Sequence, residues 1–243
     1  MPTIPDAVWL NVSPSLQRFD QSLIHYLSQK WIIAQWEYHQ DPDESSSLDV
    51  ALVLLHNYLV SCDRPVHLIG HSTSGLLGLL YTRQHPELVN SLTLLSVGVH
   101  PAVNWQAHYY VQLQVLRCSR QIILAQMTYN LFGYNNRYRT KGLVEILEKD
   151  LESSPCPHSL FQRVCVPPGS VPVPLLVCGS RDDMVVDPNE LQGWLSWFKE
   201  GDRLWECLEG GHFFHSVYPH SVGTQILDFW QSDHSVLLQG KRE

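Results

Sequence analysis

The chain has 243 residues, a formal net charge of -8 at pH 7, 44% hydrophobic residues and 16% charged residues. This composition allows a sizeable core, and its acidic balance argues against the basic face that binding to nucleic acid or to an anionic membrane surface needs. We expect a globular protein whose partner is a small neutral or apolar molecule, with no nucleic-acid partner.

The N-terminal stretch MPTIPDAVWLNV has no basic segment, and Asp6 interrupts it, so it does not resemble a signal peptide. No apolar run approaches the roughly 18 residues that a membrane span needs. The six cysteines are scattered without a CxxC pair, which favours reduced thiols over a disulfide framework. We predict a cytoplasmic protein without a membrane span.

Apolar runs and helical periodicities alternate through the first hundred residues, as in a parallel sheet that is covered on both faces. The predicted strands are AVWLNV (7–12), WIIAQWEY (31–38), PVHLIG (65–70) and SLTLLSVG (91–98), and the predicted helices cover 15–29, 43–61 and 73–84. Residues 101–171 contain helical patterns but no clear strand, so we predict a helical cap there. Alternation resumes with strands at 174–180 and 203–211 and helices at 188–200 and 221–232, so 1–100 and 172–243 form the predicted core.

The segment GHSTSG (70–75) places Ser72 between a predicted buried strand and a predicted helix. A sharp turn of this kind is a nucleophile elbow: it exposes the serine hydroxyl and directs the backbone N–H of the next residue, Thr73, towards the same point. Small residues two positions on either side, Gly70 and Ser74, let the helix approach the strand. The sequence therefore predicts Ser72 as a nucleophile and Thr73 as an oxyanion donor.

A serine nucleophile needs a base and an acid that orients the base. After a strand–turn–helix elbow of this kind, the acid comes next along the chain and the histidine base comes last. GSRDD (179–183) follows a late strand and offers Asp182 or Asp183, and GGHFF (210–214) follows the last strand and offers His212. We predict a triad of Ser72, Asp182 and His212, with Asp183 as the alternative acid.

Together GHSTSG, GSRDD, GGHFF and the insertion after the fourth strand resemble the α/β-hydrolase superfamily over nearly the whole chain. The resemblance implies a three-layer α/β fold with a helical cap, no metal and no organic cofactor. It also implies a mostly parallel sheet of about six strands without the usual N-terminal hairpin, with segment 31–38 at one edge. The G-x-x-D spacing of the family favours Asp182 over Asp183.

The resemblance is weakest after the first strand, where the family usually carries His-Gly and this chain reads Asn11-Val12-Ser13-Pro14. Ser13 matches the residue whose N–H completes the oxyanion hole, and Val12 is the alternative, since Pro14 has no N–H. We expect the substrate pocket to be mostly apolar and to involve Asn11, Val12, Trp105, Tyr109 and Phe213. Further aromatic residues of the predicted cap are Tyr110, Tyr129, Phe132, Tyr134 and Tyr138.

These features predict a serine hydrolase that cleaves a carboxylic ester or thioester of a small-to-medium hydrophobic substrate, acting as a monomer or homodimer. Two alternatives stay open on the sequence alone: cleavage of a carbon–carbon bond by the same triad, and a binding protein that keeps the fold without turnover. A metal bound between His212 and His215 is disfavoured, because no cysteine or carboxylate stands nearby at ligand spacing.

Overall fold

A computed structural model of the protein describes residues 4–41, 47–133, 140–159 and 163–239, and for 233–239 it describes the backbone only. Tyr134 and Tyr138, two aromatic residues of the predicted cap, lie outside this part of the chain.

Six strands form one parallel sheet in the described residues. They are β1 (Ala7–Asn11), β2 (Ile33–Glu37), β3 (Val66–His71), β4 (Val89–Leu95), β5 (Leu175–Ser180) and β6 (Arg203–Cys207), in the spatial order β2-β1-β3-β4-β5-β6. Every neighbouring pair is parallel. The predicted α/β fold class and the sheet of about six strands are confirmed, with β2 at the predicted edge. All six strands therefore end at the same side of the sheet, where ligands bind in open parallel sheets.

Successive residues of the central strands face opposite layers of helices. In β1, Val8 and Leu10 belong to one apolar cluster, whereas Ala7 and Trp9 belong to the other. The first cluster also contains side chains of α2 (Asp49–Val60), α3 (Thr73–Gln84) and α7 (Pro188–Gln192). The second contains side chains of α1 (Gln21–Ser28), α8 (Phe214–Val217) and α9 (Pro219–Gln239). Burial on both faces explains why the strands read as apolar runs rather than as polar–apolar alternation.

The predicted helix over 15–29 is divided into two pieces. A 3-10 helix covers Pro14–Phe19, and α1 starts at Gln21. At the junction, the carboxylate of Asp20 points inwards: Oδ2 accepts from Trp9 Nε1 at 3.2 Å, and Oδ1 lies 2.9 Å from His215 Nε2. These buried partners hold the junction, which a periodicity of apolar residues does not reveal.

Three helices, α4 (Trp105–Val115), α5 (Arg120–Phe132) and α6 (Thr140–Ser153), lie between β4 and β5, in the segment predicted to form the cap. Asn104 caps α4 by accepting from the Ala107 N–H, and its Nδ2 donates to Thr73 Oγ1 at 2.9 Å. From α6, the buried Asp150 accepts from Ser15 Oγ at 2.8 Å. The insertion is thus joined to both loops that surround Ser72. None of the helices in the described residues has both the length and the apolar composition needed to cross a membrane.

Candidate active site

Ser72 lies on the turn between β3 and α3 with φ of +50° and ψ of -121°. This is the left-handed region that a non-glycine residue rarely adopts, and it is typical of a constrained functional turn. The strand and helix approach closely here, because a Cβ on Gly70 would lie 2.5 Å from the carbonyl oxygen of Ser74. The Ser72 N–H is fixed by the Leu95 carbonyl at 2.9 Å. The segment therefore has the geometry that its small residues predict.

Asp183, and not the favoured Asp182, is the carboxylate that contacts His212. Its Oδ2 lies 2.9 Å from His212 Nδ1, and both side chains are buried. Its Oδ1 accepts from the N–H groups of Val185 and Val186 at 2.8 and 3.1 Å, which fixes the carboxylate plane. The preference for Asp182 was wrong because adjacent residues of a turn point in different directions, and only Asp183 points inwards.

Asp182 instead holds the loop that carries His212. Its Oδ1 accepts from the Gly211 N–H at 2.8 Å and from Ser180 Oγ at 2.6 Å, and Oδ2 accepts from the Gly210 N–H at 3.2 Å. Partial burial acts to raise the pKa of this carboxyl, but the hydrogen bonds from Ser180, Gly211 and Gly210 outweigh it and lower the pKa. Asp183 thus binds the ring of His212, whereas Asp182 binds the backbone of the two glycines that precede it.

The backbone of His212 is also fixed from the opposite side. Its carbonyl oxygen accepts from Ser96 Oγ and from His71 Nε2, each at 2.9 Å. His212 Nε2 and Ser72 Oγ are buried and have no hydrogen-bond partner among the described residues. The Nε2 atom is the one that a catalytic histidine uses towards its nucleophile, since Nδ1 is occupied by the acid. Within the described part of the chain, no other protein group occupies Ser72 Oγ or His212 Nε2.

The backbone donors predicted for the second half of the oxyanion hole are both occupied. The Ser13 N–H donates to Asn11 Oδ1 at 2.9 Å, and the Val12 N–H donates to Ser74 Oγ at 3.0 Å. Thr73 is the first residue of α3, so its N–H has no carbonyl of the helix to bind and lies at the positive end of the helix dipole. Of the three predicted donors, Ser13 and Val12 thus have other partners, and Thr73 lies at the start of α3.

A narrow cavity of about 20 Å³ lies beside Ser72. Its lining residues are Asn11, Ser13, Leu16, Asp20, His71, Ser72, Thr73, Ser74, Trp105 and Phe213. Val12 and Tyr109, which we predicted to be pocket residues, do not line it: both pack in the apolar core. The sequence did not predict Leu16 and Asp20 as lining residues, because their positions in the cavity wall depend on the break between the 3-10 helix and α1.

His212 and His215, which are three residues apart in the sequence, bind different carboxylates. His212 turns to Asp183, whereas His215 turns to Asp20. Among the described residues, Asp20, His71 and His215 could bring one ligand atom each within 4.8 Å of the others. Their contacts are hydrogen bonds to protein, since His71 Nε2 donates to the His212 carbonyl and Asp20 bonds both His215 and Trp9. We interpret this cluster as a buried support for the loop of His212.

Burial is the main reason that the pKa of His71 lies well below its ordinary value, and the neighbouring His215 and His212 lower it further. A neutral His71 keeps one ring proton, which suits donation from Nε2 to the His212 carbonyl. The lowered pKa of His71 thus favours its role as a hydrogen-bond donor to the loop of His212.

Sequence comparison finds two full-length relatives. The uncharacterized protein sll0249 of Synechocystis sp. is 48% identical over 232 residues, which are 96% of this chain and 92% of that protein. The uncharacterized protein alr2406 of Nostoc sp. is 47% identical over 229 residues, which are 94% of this chain and 92% of that protein. The chain belongs to the family of these two proteins. No protein-family model matches the sequence.

Comparison with solved structures shows that this chain has the α/β-hydrolase fold. The naproxen esterase of Bacillus subtilis matches with a TM-score of 0.70 and 16% identity over 95% of this chain and 85% of the esterase. A serine hydrolase involved in carbazole degradation matches with a TM-score of 0.60 and 19% identity over 93% of this chain and 91% of the hydrolase. At these identities the likeness concerns the fold, and the chemistry of this family member has to be argued from its own residues.

Proposed function

We propose that this protein is a serine hydrolase that cleaves a carboxylic ester or thioester through an acyl-enzyme on Ser72. The observation that carries the proposal is the buried Asp183–His212 pair. His212 Nε2 has no hydrogen-bond partner among the described residues, and Ser72 follows β3 in a strained backbone conformation. An elbow, a base and an acid supplied by three separate strands are the parts that nucleophilic catalysis by serine requires. Esterases and serine hydrolases with the same fold support the reaction class.

In this mechanism Ser72 Oγ attacks the carbonyl carbon while its proton passes to His212 Nε2. Asp183 accepts from His212 Nδ1–H, holds the tautomer and stabilises the imidazolium that forms. His212 then gives the proton to the leaving alcohol or thiol. A water molecule attacks the acyl-enzyme, with His212 again taking the proton, and Ser72 is regenerated.

The lining of the cavity supports a hydrophobic acyl or alcohol group. Leu16, Trp105 and Phe213 supply apolar surface, in keeping with the usual lining of small-molecule sites. A cavity of about 20 Å³ has room for about one water molecule. We therefore expect Trp105, which lines the cavity, to limit the size of the group that can bind.

Reaction with a fluorophosphonate probe, followed by mass spectrometry of the adduct, tests the proposal. We expect labelling at Ser72 in the wild type, loss of the adduct in Ser72→Ala and strong slowing in His212→Ala. The exposed residues Ser196 and His25 provide matched controls, and Ser196→Ala and His25→Ala should label like the wild type. A folded wild type that neither labels nor hydrolyses p-nitrophenyl esters from acetate to octanoate would favour a binding protein without turnover.

A further inference from the structure

The side chain of Asn11 lies at the end of β1, directly beside the elbow. In the parallel register of β1 and β3, Leu10 pairs with Gly70, so Asn11 follows at the level of His71, one residue before Ser72. Asn11 is 3% exposed and lines the same cavity as Ser72 and Thr73. Its amide is thus built into the wall that faces the nucleophile.

The orientation of this amide is fixed by a local hydrogen bond. The Ser13 N–H is only a donor, so the atom that receives it at 2.9 Å must be the oxygen Oδ1 of Asn11. The nitrogen Nδ2 is therefore the other end of the group. It is buried and has no hydrogen-bond partner among the described residues. A buried donor without a protein partner is unfavourable, and a catalytic role is one of the explanations for such a group. The position of Asn11 in the wall of the cavity beside Ser72 favours that explanation here.

The two backbone N–H groups that the sequence offers as the second donor already bind protein atoms. The Val12 N–H is bound to Ser74 Oγ, the Ser13 N–H is bound to Asn11 itself, and Pro14 has no N–H. We propose that Asn11 is a catalytic residue whose Nδ2–H, together with the Thr73 N–H, forms the oxyanion hole. This inference rests on the proposed hydrolase function.

In this role Asn11 stabilises the negative charge that develops on the carbonyl oxygen of the substrate. When Ser72 Oγ bonds to the carbonyl carbon, the π electrons of the carbonyl move to its oxygen, which becomes an oxyanion. Asn11 Nδ2–H donates a hydrogen bond to that oxygen and transfers no proton. A preorganised donor of this kind acts mainly on the transition state, so its removal lowers kcat more than it changes KM.

Two substitutions separate the side-chain donor from the backbone donor. Asn11→Asp keeps an oxygen for the Ser13 N–H but replaces Nδ2 by an acceptor, and Asn11→Ala removes the side chain and releases the Ser13 N–H. We expect kcat on a p-nitrophenyl ester to fall about 10²–10³-fold in both variants, with a small change in KM. If the Ser13 N–H were the true donor, Asn11→Ala would keep or exceed the wild-type kcat, and that result would overturn the inference.

A measurement on the wild type avoids any dependence on the folding of the variants. In ¹⁵N-labelled protein, the phosphonate adduct on Ser72 places a polarised P=O oxygen, a strong hydrogen-bond acceptor, where the oxyanion forms. One Asn11 side-chain amide proton should then shift downfield by hydrogen bonding. An adduct on Ser72 without this shift would refute the role of Asn11, whereas absence of any adduct would count against the hydrolase proposal itself.

Discussion

Ser74 Oγ accepts a hydrogen bond from the backbone N–H of Val12 at 3.0 Å, across 62 residues of sequence. Ser74 occupies the position where the nucleophile elbow usually has glycine, and Val12 follows the strand where the hydrolases usually carry His-Gly. These two departures from the usual hydrolase sequence are linked in the structure, because the Ser74 hydroxyl accepts the hydrogen bond of the Val12 N–H. A buried N–H that would otherwise face the site is thereby given a protein partner.

The first prediction concerns the stability that this bond provides. In Ser74→Ala the buried Val12 N–H loses its acceptor, and an unsatisfied buried donor costs about 1–3 kcal/mol of unfolding free energy. Urea denaturation measures the loss. The exposed Ser196→Ala should change the same quantity by less than about 0.5 kcal/mol. Equal effects of the two substitutions would show that the bond does not stabilise the fold.

The second prediction separates the two adjacent carboxylates. Asp183→Asn alters the partner of His212 Nδ1 and should lower kcat by about 10⁴-fold, because the amide no longer holds the productive tautomer. Asp182→Asn keeps an oxygen for one glycine N–H and leaves the imidazole partner intact, so we expect a fall of less than about tenfold. Steady-state kinetics on one p-nitrophenyl ester compares them. The reverse order of effects would restore Asp182 as the acid.

The third prediction concerns the width of the cavity. Trp105 lines it, whereas Tyr109, one turn further along α4, is equally buried but packs in the core. Trp105→Leu should therefore shift the preference towards longer acyl chains in a series of p-nitrophenyl esters. Tyr109→Leu should lower stability without changing that preference. A shift in both variants, or in neither, would mean that Trp105 does not limit substrate size.

The fourth prediction concerns pH and the buried Asp150 of α6. Burial raises its pKa above the ordinary value of 3.8, although hydrogen bonds from Ser154 and Ser15 act to lower it. A carboxyl with a raised pKa in the folded state contributes stability that is present below the unfolded pKa and is lost as the pH rises through the folded pKa. Asp150→Asn removes this loss, so its unfolding free energy should increase relative to wild type as the pH rises from about 4 towards 7.

The oxygen of the introduced amide can accept from Ser15 and Ser154 as Oδ1 does now. Its nitrogen takes the place of Oδ2, which accepts from Gln106 Nε2 at 3.3 Å, so the Gln106 amide has to turn and present its Oε1, an atom without a partner among the described residues. Urea midpoints across this pH range measure the difference, with the exposed Asp228→Asn as the control. A difference that is constant with pH, or that changes in the opposite direction, would contradict the raised pKa.

Local sequence patterns were sufficient for the architecture. The apolar runs placed the four central strands, since a strand buried on both faces needs apolar residues throughout. GHSTSG placed Ser72 on a turn that only small neighbours permit. His212 could be selected because a histidine after the last strand must lie at the same edge of a parallel sheet as the elbow. These inferences depend on chain order and on short-range sterics, both of which the sequence contains.

The tertiary structure alone decided which polar atoms meet. Asp182 and Asp183 are neighbours in one turn, and their directions depend on how that turn packs against the loop of His212. The partners of the Val12 and Ser13 N–H groups depend on where Ser74 and the Asn11 amide come to lie. Hydrogen bonds act over about 3 Å and require alignment, so their pairing is set by the packed arrangement of distant segments rather than by the order of residues along the chain.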